Sequence, residues 1–383
     1  MSVLRQTSAL VVLGLKELPQ RKGSSIVIAL GIGVAVAVLS AMLAMGEGVH
    51  ELALSSARPD RVVIRSTGGG HLGRDELGAI ASLPQIGRGD SGAPLASGEL
   101  NVSVRGRRVT DNVRVDIRLT GVDPQYFPVH PELKLLDGRM FRSGIREIIV
   151  GKDAAVQYHN LGLGETIRLR NADWTIVGHF QARGILDNAM LTDIRNLSYD
   201  GSNPEFSQIS AILVNAQSFS DFARQLASNP VLNVNVRHEA EAQEEDVGPV
   251  MRTMNYVSYV IGGLMAIGAV LGAINTMHAT IDGRRREIAT LRALGYGGFS
   301  IILAIVVETL VLAILGAGLG LLAVRLFFNG LQVTQVGYIF PLAVTTKLLF
   351  ISSLWAIGIG LLGGVLPAIR GSRLSIIEAL RGS

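Results

Sequence analysis

The sequence predicts a membrane α-helical protein with four transmembrane helices and a large mixed α/β domain outside the cytoplasm. Three observations carry that expectation. Hydrophobic residues make up 48% of the 383 positions and charged residues only 17%, and the apolar residues are collected into four membrane-sized blocks. A polar stretch of about 200 residues separates the first block from the second. The basic residues of the short segments fall almost entirely on one side of the bilayer that four spans define, the bias that marks cytoplasmic segments.

In chain order, residues 1–23 read as an amphipathic cytoplasmic segment and 24–45 as the first span. Ser24 to Met45 is 22 residues without a charge; at 1.5 Å per helical residue it reaches about 33 Å, enough for a hydrocarbon core of about 30 Å. A signal peptide would have an apolar core of about 7 to 15 residues nearer the start, so this block is expected to stay as a span. Residues 46–250 form the outer domain, followed by spans at 257–281, 299–324 and 348–369. Val257 to Met277 and Leu348 to Ile369 carry no charge, and Phe299 to Val324 is broken only by Glu308. What remains is a charged hairpin at 282–298, an outer loop at 325–347 and a tail at 370–383.

Arg5, Lys16, Arg21, Lys22, Arg284, Arg285, Arg286, Arg292, Arg370, Arg373 and Arg381 share one side of this topology, against Arg252, Arg325 and Lys347 on the other. Both termini and the central hairpin are therefore expected in the cytoplasm of a multi-pass inner (cytoplasmic) membrane protein. Residues 46–250 carry 21 Lys+Arg and 26 Asp+Glu, whereas the rest of the chain carries 14 and 5. The overall net charge of +4 is a topology signature, and no nucleic-acid partner is expected.

With no cysteine, the outer domain is expected to stand without disulfides, which about 200 residues permit. The seven histidines show no zinc spacing, and His50-Glu51 lacks the second histidine of a zincin helix. Within the domain, Arg61 to Arg65 alternates as a strand, Arg74 to Leu83 is helical, and Asn101 to Val104 with Val113 to Gly121 read as paired strands. The pattern returns with a strand at Ile209 to Val214, a helix capped by Ser218 and running to Ala227, and a strand at Val231 to Val236. Two β-α-β passes flanking an insert at roughly 131–200 suggest a split, ferredoxin-like sandwich. Between span and domain, Gly46 to Ala57 and Glu244 to Tyr256 stay helix-compatible, giving helical stalks with Gly46, Gly48 and Pro249 as hinge candidates. Pro249 either sits in a helix interior, at about 3 kcal/mol, or starts a helix at its first turn.

The segment from Met277 to Gly295 has the highest density of signal. Arg284, Arg285 and Arg286 by themselves suit nothing more than anchoring to anionic headgroups. The chain continues, however, with Glu287, an apolar set of Ile288, Leu291 and Leu294, then Arg292, and Gly295 as a helix stop. This Arg-Arg-Arg-Glu-Ile-(x)3-Arg-Ala-Leu-Gly core resembles the FtsX-like permease family, MacB-type ABC transporter permeases included. Further likenesses are Gly14-(x)6-Arg21-Lys22, Leu30-Gly-Ile-Gly33 and Gly46-Glu-Gly48 near the start, and Leu136-Asp-Gly-Arg-Met-Phe141, Arg146 to Gly151 and Trp174 to Gly178 in the insert. Pro367-Ala-Ile-Arg370-(x)2-Arg373-Leu and Ile377-Glu-Ala-Leu-Arg381 resemble the closing signature, with Ser375 and Ile376 where the family usually has a proline.

The resemblance implies a porter subdomain interrupted by a mostly β subdomain. It also implies that Asn275, Met277, Arg286, Glu287, Ile288 and Gly295 belong to a coupling helix that receives an ATPase. No Gly-(x)4-Gly-Lys-Ser/Thr phosphate loop occurs, so the chain is expected to be a non-catalytic subunit with no cofactor of its own. ATP and Mg would be bound by a separate ABC ATPase partner. Glu308, costly inside a span at about 2.5–3.5 kcal/mol, is either a proton or substrate site or a glutamate packed against a neighbouring helix, as family members carry it. Gly316-(x)3-Gly320 has the small-xxx-small spacing of close helix packing.

Three functions stay open: export or extraction of substrate by mechanotransmission, FtsX-like switching of an extracytoplasmic enzyme, and membrane sensing. The size of the outer domain favours the first, and a LolC- or LolE-like lipoprotein-releasing role shares the same plan. The expected partners are the ATPase, a second copy of the chain or a paralogous permease, and the bilayer. A periplasmic membrane-fusion protein with an outer-membrane channel would complete a tripartite exporter.

Overall fold

The computed structural model describes residues 3–17, 22–169, 172–198, 204–229, 232–335 and 338–372. Arg21, Arg373, Arg381, Val231 and the closing Ile377 to Arg381 signature lie outside the described residues. The elements run α1 (Val3–Glu17), α2 (Lys22–Leu54), β1 (Arg61–Ser66), α3 (Arg74–Ala81), β2 (Ala96–Arg107), β3 (Arg114–Val122), α4 (Tyr126–Val129), β4 (Lys134–Gly138), β5 (Glu147–Gly151), α5 (Lys152–Gln157), β6 (Thr166–Leu169) and β7 (Ala172–Gln181). They continue with β8 (Met190–Asp193), α6 (Ile194–Leu197), β9 (Gln208–Ile212), α7 (Phe219–Ser228), β10 (Val234–His238), α8 (Glu239–Gly283), α9 (Arg285–Ala293), α10 (Gly298–Phe327), β11 (Gln332–Gln335), β12 (Tyr338–Pro341) and α11 (Thr346–Ser372). Helices α2, α8, α10 and α11 are long and apolar enough to cross a membrane. The chain divides into two compact units, one of Met1–Gly48, Val250–Leu331 and Pro341–Ser383, the other of Val49–Pro249 and Gln332–Phe340.

The helical unit is held by glycine contacts and small side chains. A Cβ on Gly316 would meet the Ala29 carbonyl, and one on Gly320 would meet the Gly33 carbonyl. The predicted small-residue spacing therefore lies where α10 crosses α2, and only hydrogen at those positions lets the backbones approach. Gly360 and Gly364 of α11 sit in the same way against Ala313 and Thr309 of α10. Gly46 turns out to be a packing position within α2, since a Cβ there would stand 2.8 Å from Asn255 Oδ1 of α8. Gly48 is buried in the same unbroken helix. Pro249 lies well inside the 45-residue α8 and does not occupy a first turn. Both helices are unbroken at the positions read as hinges, and the two compact units divide at Gly48 and Pro249.

In the other unit the four strands flanking the insert stand in the order β10-β1-β9-β2, all neighbours antiparallel. With α3 and α7 as crossovers this is the split βαβ arrangement. The insert is not a separate sheet. Strand β8 pairs in parallel with β3, Val122 opposite Asp193, and carries the ladder on through β5, β7 and β4 to make one ten-stranded sheet. One apolar core includes Ile64, Leu119, Met190 and Trp174; a second, on the opposite face, is built around Tyr126, Phe180 and Leu191. The expected Ser218 cap is also modified: the Asn215 side chain accepts from both Ser218 N (2.9 Å) and Ser218 Oγ (2.7 Å), capping the short 3-10 turn that leads into α7.

The sheet also buries a charged cluster. The Arg61 guanidinium is wholly enclosed and pairs with Glu132 and Glu239, each at 2.8 Å, while donating to the Val129 and Ser56 carbonyls. Burial opposes ionisation of Glu132, but hydrogen bonds from His130 and Arg61 outweigh it and bring the carboxyl down to about 2.

Candidate functional site

The charged hairpin is a short helix set at an angle-breaking residue. Helix α8 ends at Gly283, Arg284 leaves helical geometry (φ −105°, ψ 9°), and α9 begins at Arg285. At the other end Gly295 adopts φ +91°. Gly295 N donates to Arg292 O at 3.0 Å and Tyr296 N to Leu291 O at 3.1 Å, the paired bonds of a Schellman cap, which need a left-handed residue between them. The stop read from the sequence at Gly295 is thus made by a defined capping motif.

The residues of α9 divide into two faces. Ile288 and Ala289 are buried and Leu291 packs half-buried against the helical core, so Ile288 and Leu291 hold the helix in place. Leu294, expected on the same apolar face, is 72% exposed. Arg285, Arg286, Glu287 and Thr290 are exposed, and Arg292 is half-buried. Arg285 pairs with Asp282 at 2.8 Å and Arg284 with Glu287 at 3.0 Å; such i,i+3 surface pairs are worth about 0.2–0.5 kcal/mol each.

Arg284 has a second role that its position among three arginines does not betray. Its side chain is only 15% exposed, and Nη1 lies 3.5 Å from Oε2 of the buried Glu308 in α10. The acid that looked isolated in its span therefore has a cation from the hairpin beside it. Gly14 of α1 completes the enclosure: a Cβ there would touch Glu308 Oε2 at 3.4 Å. Next to this pair is a cavity of about 520 Å³, walled by Leu10, Met277, Ile281 and Ile305 and reached by Arg286. Sequence reasoning missed Gly14 and the Arg284–Glu308 link. The clue was available, because an acid in a span calls for a counter-charge, but the sequence does not tell which of several arginines turns inward.

Among the described residues no group of three histidine or acidic side chains is arranged to hold a metal ion. What the site offers is a short helix with one face buried and the other charged and exposed.

The family model of the MacB-like periplasmic core domain matches residues 25–229, and that of the FtsX-like permease C-terminal matches 259–376. The pyoverdine export ATP-binding/permease protein PvdT of Pseudomonas fluorescens is 26% identical over 92% of this chain and 56% of its own length. The macrolide export ATP-binding/permease protein MacB of Chlorobium luteolum is 26% identical over 94% of this chain and 58% of its own. The chain thus spans little more than half the length of these curated relatives. The ABC transporter permease YknZ of Bacillus subtilis is 24% identical over 70% of each chain. Among solved structures, the periplasmic region of MacB from Actinobacillus actinomycetemcomitans aligns with 50% of this chain and 94% of its own, at 14% identity and a TM-score of 0.36. With the two family models together covering most of its length, the chain belongs to the MacB-like, FtsX-like permeases of ABC transporters.

Proposed function

We propose that this chain is the membrane-embedded transmission element of an ATP-driven exporter. An ATP-binding unit outside these 383 residues docks on the exposed face of α9 around Arg286, Glu287 and Thr290, and nucleotide-driven movement of that unit displaces α9. Because α9 is fastened inward by Ile288, Ala289 and the Arg284–Glu308 pair, it moves with the spans. The motion then reaches the extracytoplasmic domain, where it expels or extracts substrate at the outer side of the inner membrane. Both termini and α9 lie in the cytoplasm in this reading, in line with the arginine and lysine bias. Two copies of the chain serve two ATP-binding units around a twofold axis. The likeness to PvdT, a pyoverdine export protein, and MacB, a macrolide export protein, supports export over enzyme switching.

The observation that carries the proposal is the asymmetry of α9, whose inner residues are locked while its outer face is charged and solvent-facing. Arg286→Glu tests it, because Arg286 is exposed and its reversal leaves the internal Arg284 pairs in place. In membranes holding the chain and an ATP-binding companion identified by azido-ATP photolabelling, the variant is expected to lose at least about tenfold of its stimulated ATP hydrolysis. Full stimulation by the variant would refute docking at this face.

A further inference from the structure

The extracytoplasmic unit contains a cleft that the transmission role does not use. Strands β3 and β8 lie side by side in parallel, with Val122 opposite Asp193 at their carboxyl ends. The chain leaves the two strands toward opposite faces of the sheet. After β3 it enters α4, whose Tyr126 belongs to one core; after β8 it enters α6, whose Ile194 and Leu197 belong to the other. Neighbouring parallel strands that part in this way leave a crevice at their carboxyl ends, the place where open α/β sheets bind ligands. Here the crevice is real: a cavity of about 570 Å³, within the range of about 300–1,000 Å³ typical of small-molecule sites.

Its walls are apolar and its rim is cationic. Phe127 and Phe141 form one wall with ring centroids 6.0 Å apart, and the buried Phe206 contributes to the opposite side. Helix α3 presents Arg74, Gly78 and Ala81 along a single face to the cleft. Two carboxylates also line it, but both are occupied by internal donors. Asp123 accepts from Ser97 Oγ, Gly98 N and Gln125 N; Asp193 accepts from Ser143 Oγ, Gly144 N and Arg195 N. The guanidinium groups of Arg74 and Arg195 are exposed, and neither has a carboxylate partner among the described residues. Neutral donors leave the formal charges of Asp123 and Asp193 in place, so the lining is balanced overall; the two guanidinium groups are the exposed charges, free to take an incoming acid, while Asp193 is buried and Asp123 half-buried.

We infer that the crevice between β3 and β8 binds an amphipathic anion, a molecule with an aromatic or aliphatic body seated against Phe127, Phe141 and Phe206 and an acidic group held by Arg74 and Arg195. A free organic acid and the headgroup end of an anionic lipid share this chemistry.

The test uses the full chain in phosphatidylcholine nanodiscs, without any ATPase or nucleotide, so its outcome is separable from that of the docking proposal. Calorimetry compares 1-naphthylacetate with its neutral match 1-naphthaleneacetamide, and dihexanoyl phosphatidylglycerol with dihexanoyl phosphatidylcholine. At least one anion is expected to bind about tenfold or more tightly than its uncharged or zwitterionic match. Preference for naphthylacetate identifies a free organic acid, and preference for the phosphatidylglycerol identifies a lipid. The double change Arg74→Ala and Arg195→Ala should abolish that preference. Gly78→Leu should weaken binding about tenfold or more by filling the cleft, and it is sterically free because a Cβ at Gly78 meets nothing within 4 Å. Emission from the buried Trp174 verifies that each variant is folded. Equal binding of charged and uncharged probes, no binding of either anion, or unchanged affinity in Gly78→Leu would each overturn the assignment.

Discussion

Replacing Arg284 by glutamine removes the cation that stands 3.5 Å from Glu308, and its consequence can be worked from that distance. Two unit charges at this separation attract by about 5 kcal/mol at an effective dielectric constant of about 20. Desolvation of both groups takes back a large part, leaving a coupling of about 1–3 kcal/mol. Breaking one side of such a pair is costlier than losing the pair, because a buried carboxylate stays behind with less compensation. Arg284→Gln alone is therefore expected to destabilise the helical unit by more than Glu308→Gln alone. The double variant should be more stable than Arg284→Gln and should recover about 1–3 kcal/mol. Thermal unfolding in detergent, followed by the emission of Trp355 in a Trp174→Phe background, measures all four corners of the cycle. Additive single effects would show that the two side chains do not interact. If the double variant were the least stable of the four, the placement of Arg284 against Glu308 would be refuted.

Three other outcomes follow from positions already described. Gly295→Ala puts a side chain on a φ of +91° and is expected to cost about 1 kcal/mol and to reduce ATPase stimulation; an unaffected variant would count against the Schellman cap. Gly316→Val should drive α10 away from the Ala29 carbonyl and cost about 1–3 kcal/mol or prevent folding, whereas Gly318→Val, with nothing within 4 Å of its Cβ, should be near neutral; equal effects in detergent melting curves would disprove the crossing. The Glu132 carboxyl is lowered from 4.5 to about 2, so its contribution, at most about 3 kcal/mol, is present above pH 4.5 and lost as pH falls toward 2. Urea unfolding read at Trp174 should show that acid loss in the native chain and a flatter acid limb in Arg61→Met, and identical pH profiles would dismiss the cluster.

By itself the sequence determined the plan of the molecule. Uncharged runs such as Ser24 to Met45 leave the backbone no option in lipid except a helix, and the alternation in Arg61 to Arg65 and the pattern around Phe219 to Ser228 are local signals that survive folding. Gly295 was legible for the same reason, since a helix stop is a property of a few consecutive residues. The tertiary structure alone decided what lies next to what. Arg284 looks like its neighbours Arg285 and Arg286, yet a break in helical geometry turns it toward Glu308. Gly46 carries no mark that separates a hinge from a helix crossing; Asn255 makes it a crossing. That the strands of the inserted β subdomain join the flanking sheet is decided by β8 pairing with β3, because a strand's partner is chosen by long-range hydrogen bonds that leave no periodicity in either strand. The crevice at the ends of these two strands is lined by both Arg74 and Arg195, residues far apart in the chain.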